Sequence, residues 1–150
     1  MAGFIDRITY ISPSNFEYIK ELENQKVLGI DSSLQRKDIF FLAMALGLES
    51  PKDLPKQHDF IRNSYFKEEG EALLRAVNIG TAESENEIDE KTNLNNGIKY
   101  CEKCAEGGFA KLRELVAEST YSGDFSEDVL EKKLLVQLKF KFKQYFKDNL

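Results

Sequence analysis

Cys101 and Cys104, separated by Glu102 and Lys103, are the side chains whose type and spacing could hold a metal or cycle between thiol and disulfide. A tetrahedral zinc site needs four ligands, usually a second such pair, and the chain contains two cysteines and one histidine, His58. A thioredoxin-like centre places its CxxC after a strand in a βαβ unit. Here the pair falls inside a run of helical periodicity, so the expectation is two helix-face cysteines with no chemical role. His58, next to Asp59, could act as a base only if other elements brought it a nucleophile. A lone histidine of this kind more often makes ordinary hydrogen bonds. Between Ala82 and Lys91 stand five carboxylates, Glu83, Glu85, Glu87, Asp89 and Glu90, with Ile88 the one apolar side chain after Ala82. Acid–base pairs are made by environment rather than by number, and this stretch reads as a solvated loop. No phosphate-binding loop, dinucleotide fingerprint, EF-hand loop or HExxH occurs. The reading is a non-enzyme with no cofactor and no metal.

The C-terminal segment has a different character. From Ser126 to Leu150 six lysines face four acids, a local charge of +2 in a chain of -5. Lys139, Lys141, Lys143 and Lys147 interleave with Phe140, Phe142, Tyr145 and Phe146. One account is an amphipathic helix with a solubilising lysine face. The other is a contact surface for phosphates or for an acidic partner protein, with Lys139, Lys141, Lys143, Lys147 and Phe140 as its residues. The scarcity of arginine argues against base readout by bidentate contacts. A second nucleic-acid reading uses the N-terminus as a ribbon-helix-helix strand, with Arg7, Thr9 and Ile11 alternating on one face toward a groove.

These side chains must be positioned by a mainly helical fold. A length of 150 residues, 41% apolar and 31% charged, suits one soluble globular domain with its own core. The net negative charge argues against a surface that binds nucleic acid all round. The opening Met-Ala-Gly-Phe-Ile-Asp-Arg is not a signal-peptide pattern, and no apolar run is long enough to span a bilayer, so the expectation is a cytoplasmic chain without a membrane partner. Ile39 to Leu48 carries no charge and reads as a central core helix, with Asp38 in its first turn and Gly47 ending it at positive φ. Asp31, Ser32 and Ser33 are candidate caps for it.

Phe4 to Ile11 reads as a short strand or extended arm, and Ser14 or Asn15 opens a helix running toward Gly29. A loop flanked by Pro51 and Pro55 follows the central helix. His58 to Phe66 is ambiguous between extended chain and a helical turn. Ala72, Leu73, Ala76 and Val77 mark another helix. Leu94, Ile98, Cys101, Ala105, Phe109, Leu112, Leu115 and Val116 form the clearest helical stripe in the chain. Gly107-Gly108 interrupts it and should mark either close packing or a break. After a turn at Tyr121 to Phe125, residues 126–150 form the last helix, although Leu138 to Lys143 alternates with a period of two that would also suit a strand. The fold expected is a single compact helical domain of five or six helices with a short N-terminal strand or arm.

Three stretches, in order, resemble the family of DNA phosphorothioation-associated (Dnd-system-associated) protein 4. Lys37-Asp38-Ile39-Phe40 through Ala43-Met44-Ala45-Leu46-Gly47 is similar to that family's KxDVFxxAAALG helix. Ile61 to Phe66 with the helix from Leu73 to Gly80 matches the second, and Tyr100 to Phe109, continuing through Leu112 and Leu115, the third. Cys104 stands where the family has an aromatic, and the lysine-rich segment after Phe125 has no counterpart. The resemblance implies a small accessory protein of a bacterial anti-phage defence or DNA-modification system. Such a protein has no catalytic residues and docks onto a larger effector such as an ATPase or nuclease, with nucleic acid reached through the complex or through the C-terminal lysines.

Overall fold

A computed structural model describes the backbone of residues 7–27, 35–80 and 94–149, and the side chains of residues 7–27, 35–74 and 98–138. It is mainly α. Five helices are described: α1 (Pro13–Asn24), α2 (Arg36–Leu46), α3 (Lys67–Gly80), α4 (Leu94–Glu118) and α5 (Glu127–Asn149). Four short strands accompany them, β1 (Ile8–Ile11), β2 (His58–Arg62), β3 (Thr120–Tyr121) and β4 (Asp124–Phe125).

The core is the crossing of α2 and α4. Ile39, Phe40, Ala43, Met44 and Leu46 from α2 meet Ile98, Cys101, Cys104, Ala105, Phe109 and Leu112 from α4, all buried. The expected stripe on α4 is therefore the one that packs. Gly107-Gly108 does not break the helix, which runs unbroken from Leu94 to Glu118. The two glycines and Gly47 are what let the backbones meet. A Cβ on Gly108 would lie 1.5 Å from the Ala43 carbonyl oxygen, one on Gly107 1.9 Å from that of Ser50, and one on Gly47 1.8 Å from that of Cys104. Gly47 has φ -104°, so the expectation of a left-handed residue there is overturned. The helix ends at a glycine because a neighbouring backbone occupies the Cβ position.

Asp38 does sit in the first turn of α2, where its carboxylate accepts the Gln35 N–H at 2.9 Å. The N-cap is Gln35, not one of Asp31, Ser32 and Ser33, which lie outside the described residues. α1 starts at Pro13 and ends at Asn24, earlier than the expected stop at Gly29, itself outside the described residues. Lys26 follows at φ 54°.

His58–Arg62 proves to be a strand, and Asn63–Phe66 a single 3-10 turn before α3. β1 pairs antiparallel with β2, Thr9 opposite Ile61 and Tyr10 opposite Asp59, which leaves Phe60 as the extra residue of a bulge. The N-terminal strand is thus a member of a ribbon, not a free arm. Thr9 and Ile11 are buried, and Thr9 Oγ1 donates to Asn63 Oδ1. Of the three residues a ribbon-helix-helix reading would aim at a groove, Thr9 and Ile11 are turned into the core, and Arg7, just before the strand, is exposed.

The Tyr121–Phe125 turn is a two-residue hairpin joining β3 to β4, with Ser122 at φ 53° and Gly123 at φ 84°. Positive φ at both central positions matches the right-handed twist of the flanking strands. Ser126 then caps α5, its Oγ accepting the Val129 N–H at 3.4 Å. The backbone of α5 is helical through Leu138 to Lys143, so the period-two alternation there does not make a strand.

Candidate functional site

Leu130 and Leu134, buried, and Leu138, partly buried, attach α5 to the core. They recur every four residues, as a helix requires for one packed face. Leu135 and Val136, between those anchors, are 67% and 65% exposed. Val136 borders a groove of about 340 Å³ between the last turns of α4 and the first half of α5, lined by Leu115, Glu118, Lys132, Lys133, Val136 and Gln137. Lys133 Nζ reaches Glu118 Oε2 at 3.4 Å, a solvent-exposed pair. Among the described residues no carboxylate pairs with Lys132.

The candidate residues Lys139, Lys141, Lys143, Lys147 and Phe140 all fall on α5, with side chains outside the described set. Helical register separates them. Positions 139, 143 and 147 follow 132 and 136 along one side of the helix, opposite the line of 130, 134 and 138, with 140 alongside. Position 141 falls on the packed line instead. The five therefore do not form one face, and the structure adds Lys132 and Val136 to those that do.

The other chemical candidates sit elsewhere. Cys101 and Cys104 form no disulfide and are fully buried on α4 against α2 and α3, with Cys101 Sγ 3.9 Å from the Leu74 carbonyl oxygen. Among the described residues no cluster of His, Cys, Asp and Glu is arranged to hold a metal. His58 donates to the Asp59 carbonyl at 2.7 Å and stacks on Phe16, ring centroids 4.2 Å apart. Lys20 and Arg36 also approach the Phe16 ring, and Arg36 is paired with Glu23 at 2.6 Å. The acidic stretch from Glu83 to Glu90 lies outside the described residues.

A polar seam along α4 was not anticipated. Glu102, Glu106 and Arg113 share one side of the helix, beside its apolar stripe. Glu102 accepts the Tyr10 N–H, closing an edge of β1. Glu106 accepts Asn15 Nδ2 at 2.8 Å, while Arg113 donates to the Ser14 carbonyl at 3.0 Å and to Asn15 Oδ1 at 2.9 Å. The guanidinium also lies over the Tyr18 ring, 4.3 Å from its centroid. Burial pushes the Glu102 carboxyl up to about 7, against the opposing pull of the Tyr10 N–H and of Lys99. Burial likewise raises the Tyr18 phenol to about 12, the Arg113 charge opposing and Glu21 reinforcing. Each group is spent holding α1 and β1 to α4. The sequence signal was three polar residues at helical spacing alongside an apolar stripe, where an amphipathic helix would already be turning toward solvent.

No helix among the described residues is long and apolar enough to cross a membrane. No protein-family model, curated protein or solved structure matches the chain.

Proposed function

We propose that this chain is a non-enzymatic adaptor of a bacterial anti-phage defence or DNA-modification system, docking onto a larger effector such as an ATPase or nuclease. The observation that carries the reading is the exposure of two large apolar side chains on α5, Val136 at the α4–α5 groove and Leu135 next to it in sequence. Burying one such side chain is worth about 1.5–3 kcal/mol, which a second protein surface would recover. Two supports accompany it. The ionisable groups drawn together within the fold, Glu102, Glu106 and Arg113, are engaged in joining α1 and β1 to α4. The resemblance of Lys37 to Gly47 and of Tyr100 to Phe109 to the Dnd-system-associated protein 4 family names the setting.

The test is affinity capture from the native host, comparing wild type with the combined Lys139→Glu, Lys143→Glu and Lys147→Glu variant. Specific loss of a co-purifying ATPase or nuclease, at an unchanged melting temperature, is the expected result. Equal capture by both would remove α5 as the docking element.

A second reading has one observation behind it, the positions 132, 139, 143 and 147 in register on one side of α5. A lysine row can track phosphates, and the chain would then be a DNA-binding accessory. A gel shift at two salt concentrations separates the two. A DNA binder loses affinity steeply as salt rises, whereas an adaptor alone shifts nothing.

A further inference from the structure

We infer that the groove between α4 and α5 receives an acidic amphipathic segment of the partner protein, with an apolar anchor on Leu115 and Val136 and carboxylates toward Lys132 and the lysine positions beyond it. The inference rests on the adaptor reading and adds the chemistry of the partner.

The groove itself argues for a peptide segment. About 340 Å³ is at the small end of ligand pockets, room for an anchoring side chain or two and not for a folded surface. Leu115 and Val136 give it apolar lining, Val136 exposed on the α5 side. The polar lining is Lys132, Lys133, Gln137 and Glu118, with Glu118 already opposite Lys133. That leaves Lys132 as the uncompensated charge where the groove opens. From it the helical register carries lysine positions 139, 143 and 147 along the same side of α5. A helix lying along this side would alternate apolar anchors with carboxylates, the helix-in-groove mode of recognition. Rim charges of this kind chiefly raise the association rate and set partner choice.

Phosphate chemistry fits the same surface less well. Residues 126–150 contain no arginine, so no bidentate phosphate fork is available. Glu118 lines the groove, and Leu115, Leu135 and Val136 offer a phosphate nothing. A flat lipid surface would not fill a groove. Charge complementarity and the apolar lining together select an acidic protein segment.

The experiment is panning of a random-peptide phage library on the full-length protein. The consensus peptide is then synthesised and titrated by fluorescence anisotropy at low and physiological salt. DNA duplex and anionic vesicles are titrated in parallel. Enriched peptides should combine several Asp or Glu with a Leu, Ile, Val or Phe anchor. Val136→Asp and Lys132→Glu should each weaken them about tenfold at an unchanged melting temperature. Both residues are exposed, so neither variant threatens the fold. No enrichment, enrichment of peptides without acids, binding indifferent to both variants, or binding of duplex or vesicles in place of peptide would each overturn the inference. If the lysine reversals abolish capture of the native effector while panned peptides lack acids, the partner chemistry falls and the adaptor reading stands. If acidic peptides bind the groove but native capture ignores the reversals, α5 is removed as the docking element of the native effector and the inference falls.

Discussion

Glu102 shows what a single residue contributes when its surroundings, not its neighbours in sequence, set its chemistry. Its side chain is enclosed between α4 and β1, accepting the Tyr10 N–H where the ribbon bulges. Burial disfavours the carboxylate and raises the group from 4.5 to about 7. The folded state therefore holds this proton more tightly than the unfolded chain. Its contribution is fully present below about pH 4.5 and is lost as pH rises through 7, on the order of 3 kcal/mol across that window. Glu102→Gln keeps an oxygen for the Tyr10 N–H and removes the buried charge. Urea denaturation should show wild type losing stability relative to Glu102→Gln between pH 5 and pH 8, and parallel curves would refute the assignment. Asp38 is the opposite case, half-buried and legible in sequence. Its carboxylate satisfies the Gln35 N–H at the positive end of α2. Asp38→Ala should cost about 0.5–1 kcal/mol by thermal melting, and a neutral outcome would mean water caps that turn equally well.

Among the elements, the α2–α4 crossing decides the fold, and three glycines decide the crossing. Inside a free helix, Gly→Ala gains about 1 kcal/mol. At Gly108 the sign reverses, because the new methyl would lie 1.5 Å from the Ala43 carbonyl oxygen and the helices must part. Gly108→Ala should destabilise by about 1–3 kcal/mol or more, as overpacking does, and a higher melting temperature would refute the geometry. Gly47 allows a sharper comparison. Were it needed for positive φ, Asn would substitute tolerably there. Since the Cys104 carbonyl oxygen fills the Cβ position, Gly47→Asn should instead be as damaging as Gly47→Ala. The apolar runs that make α2 and α4 were legible because helical periodicity is a local property. The reason for Gly47 was not, since a glycine that ends a helix by conformation and one that admits a second backbone look identical in one sequence. β2 was ambiguous for a similar reason. His58 to Arg62 has a partial strand pattern, and its pairing with β1, some fifty residues earlier, is what settles it. On α5 the packed stripe through Leu134 and Leu138 was legible from helical spacing, and exposure of Leu135 and Val136 follows from it.

At the scale of the whole molecule, the chain's beginning is tied to its later half by the α4 seam, and Arg113 is the long-range clasp. It joins α1 across nearly a hundred residues of sequence through the Ser14 carbonyl, Asn15 Oδ1 and the Tyr18 ring. Asn15 in turn donates to Glu106, so one planar cation organises a five-residue network. Arg113→Ala would leave Asn15 and the Ser14 carbonyl to find other partners and would strip the cation from Tyr18. Arg113 is solvent-exposed, so a loss of about 0.5–1.5 kcal/mol is expected. Arg113→Lys should restore little of it, because a point ammonium cannot bridge two acceptors and stack on a ring at once. The deletion should also be local in kind. The polar ties of α1 to α4 run through this network, so hydrogen exchange should quicken first in α1 while the α2–α4 core keeps its protection. A double-mutant cycle with Asn15→Ala would measure the coupling, expected at about 0.5 kcal/mol or more for groups in contact. Additive losses, with exchange quickening uniformly over all helices, would mean that Arg113 acts through general stability and that α1 is held by its apolar residues Ile19 and Leu22 alone.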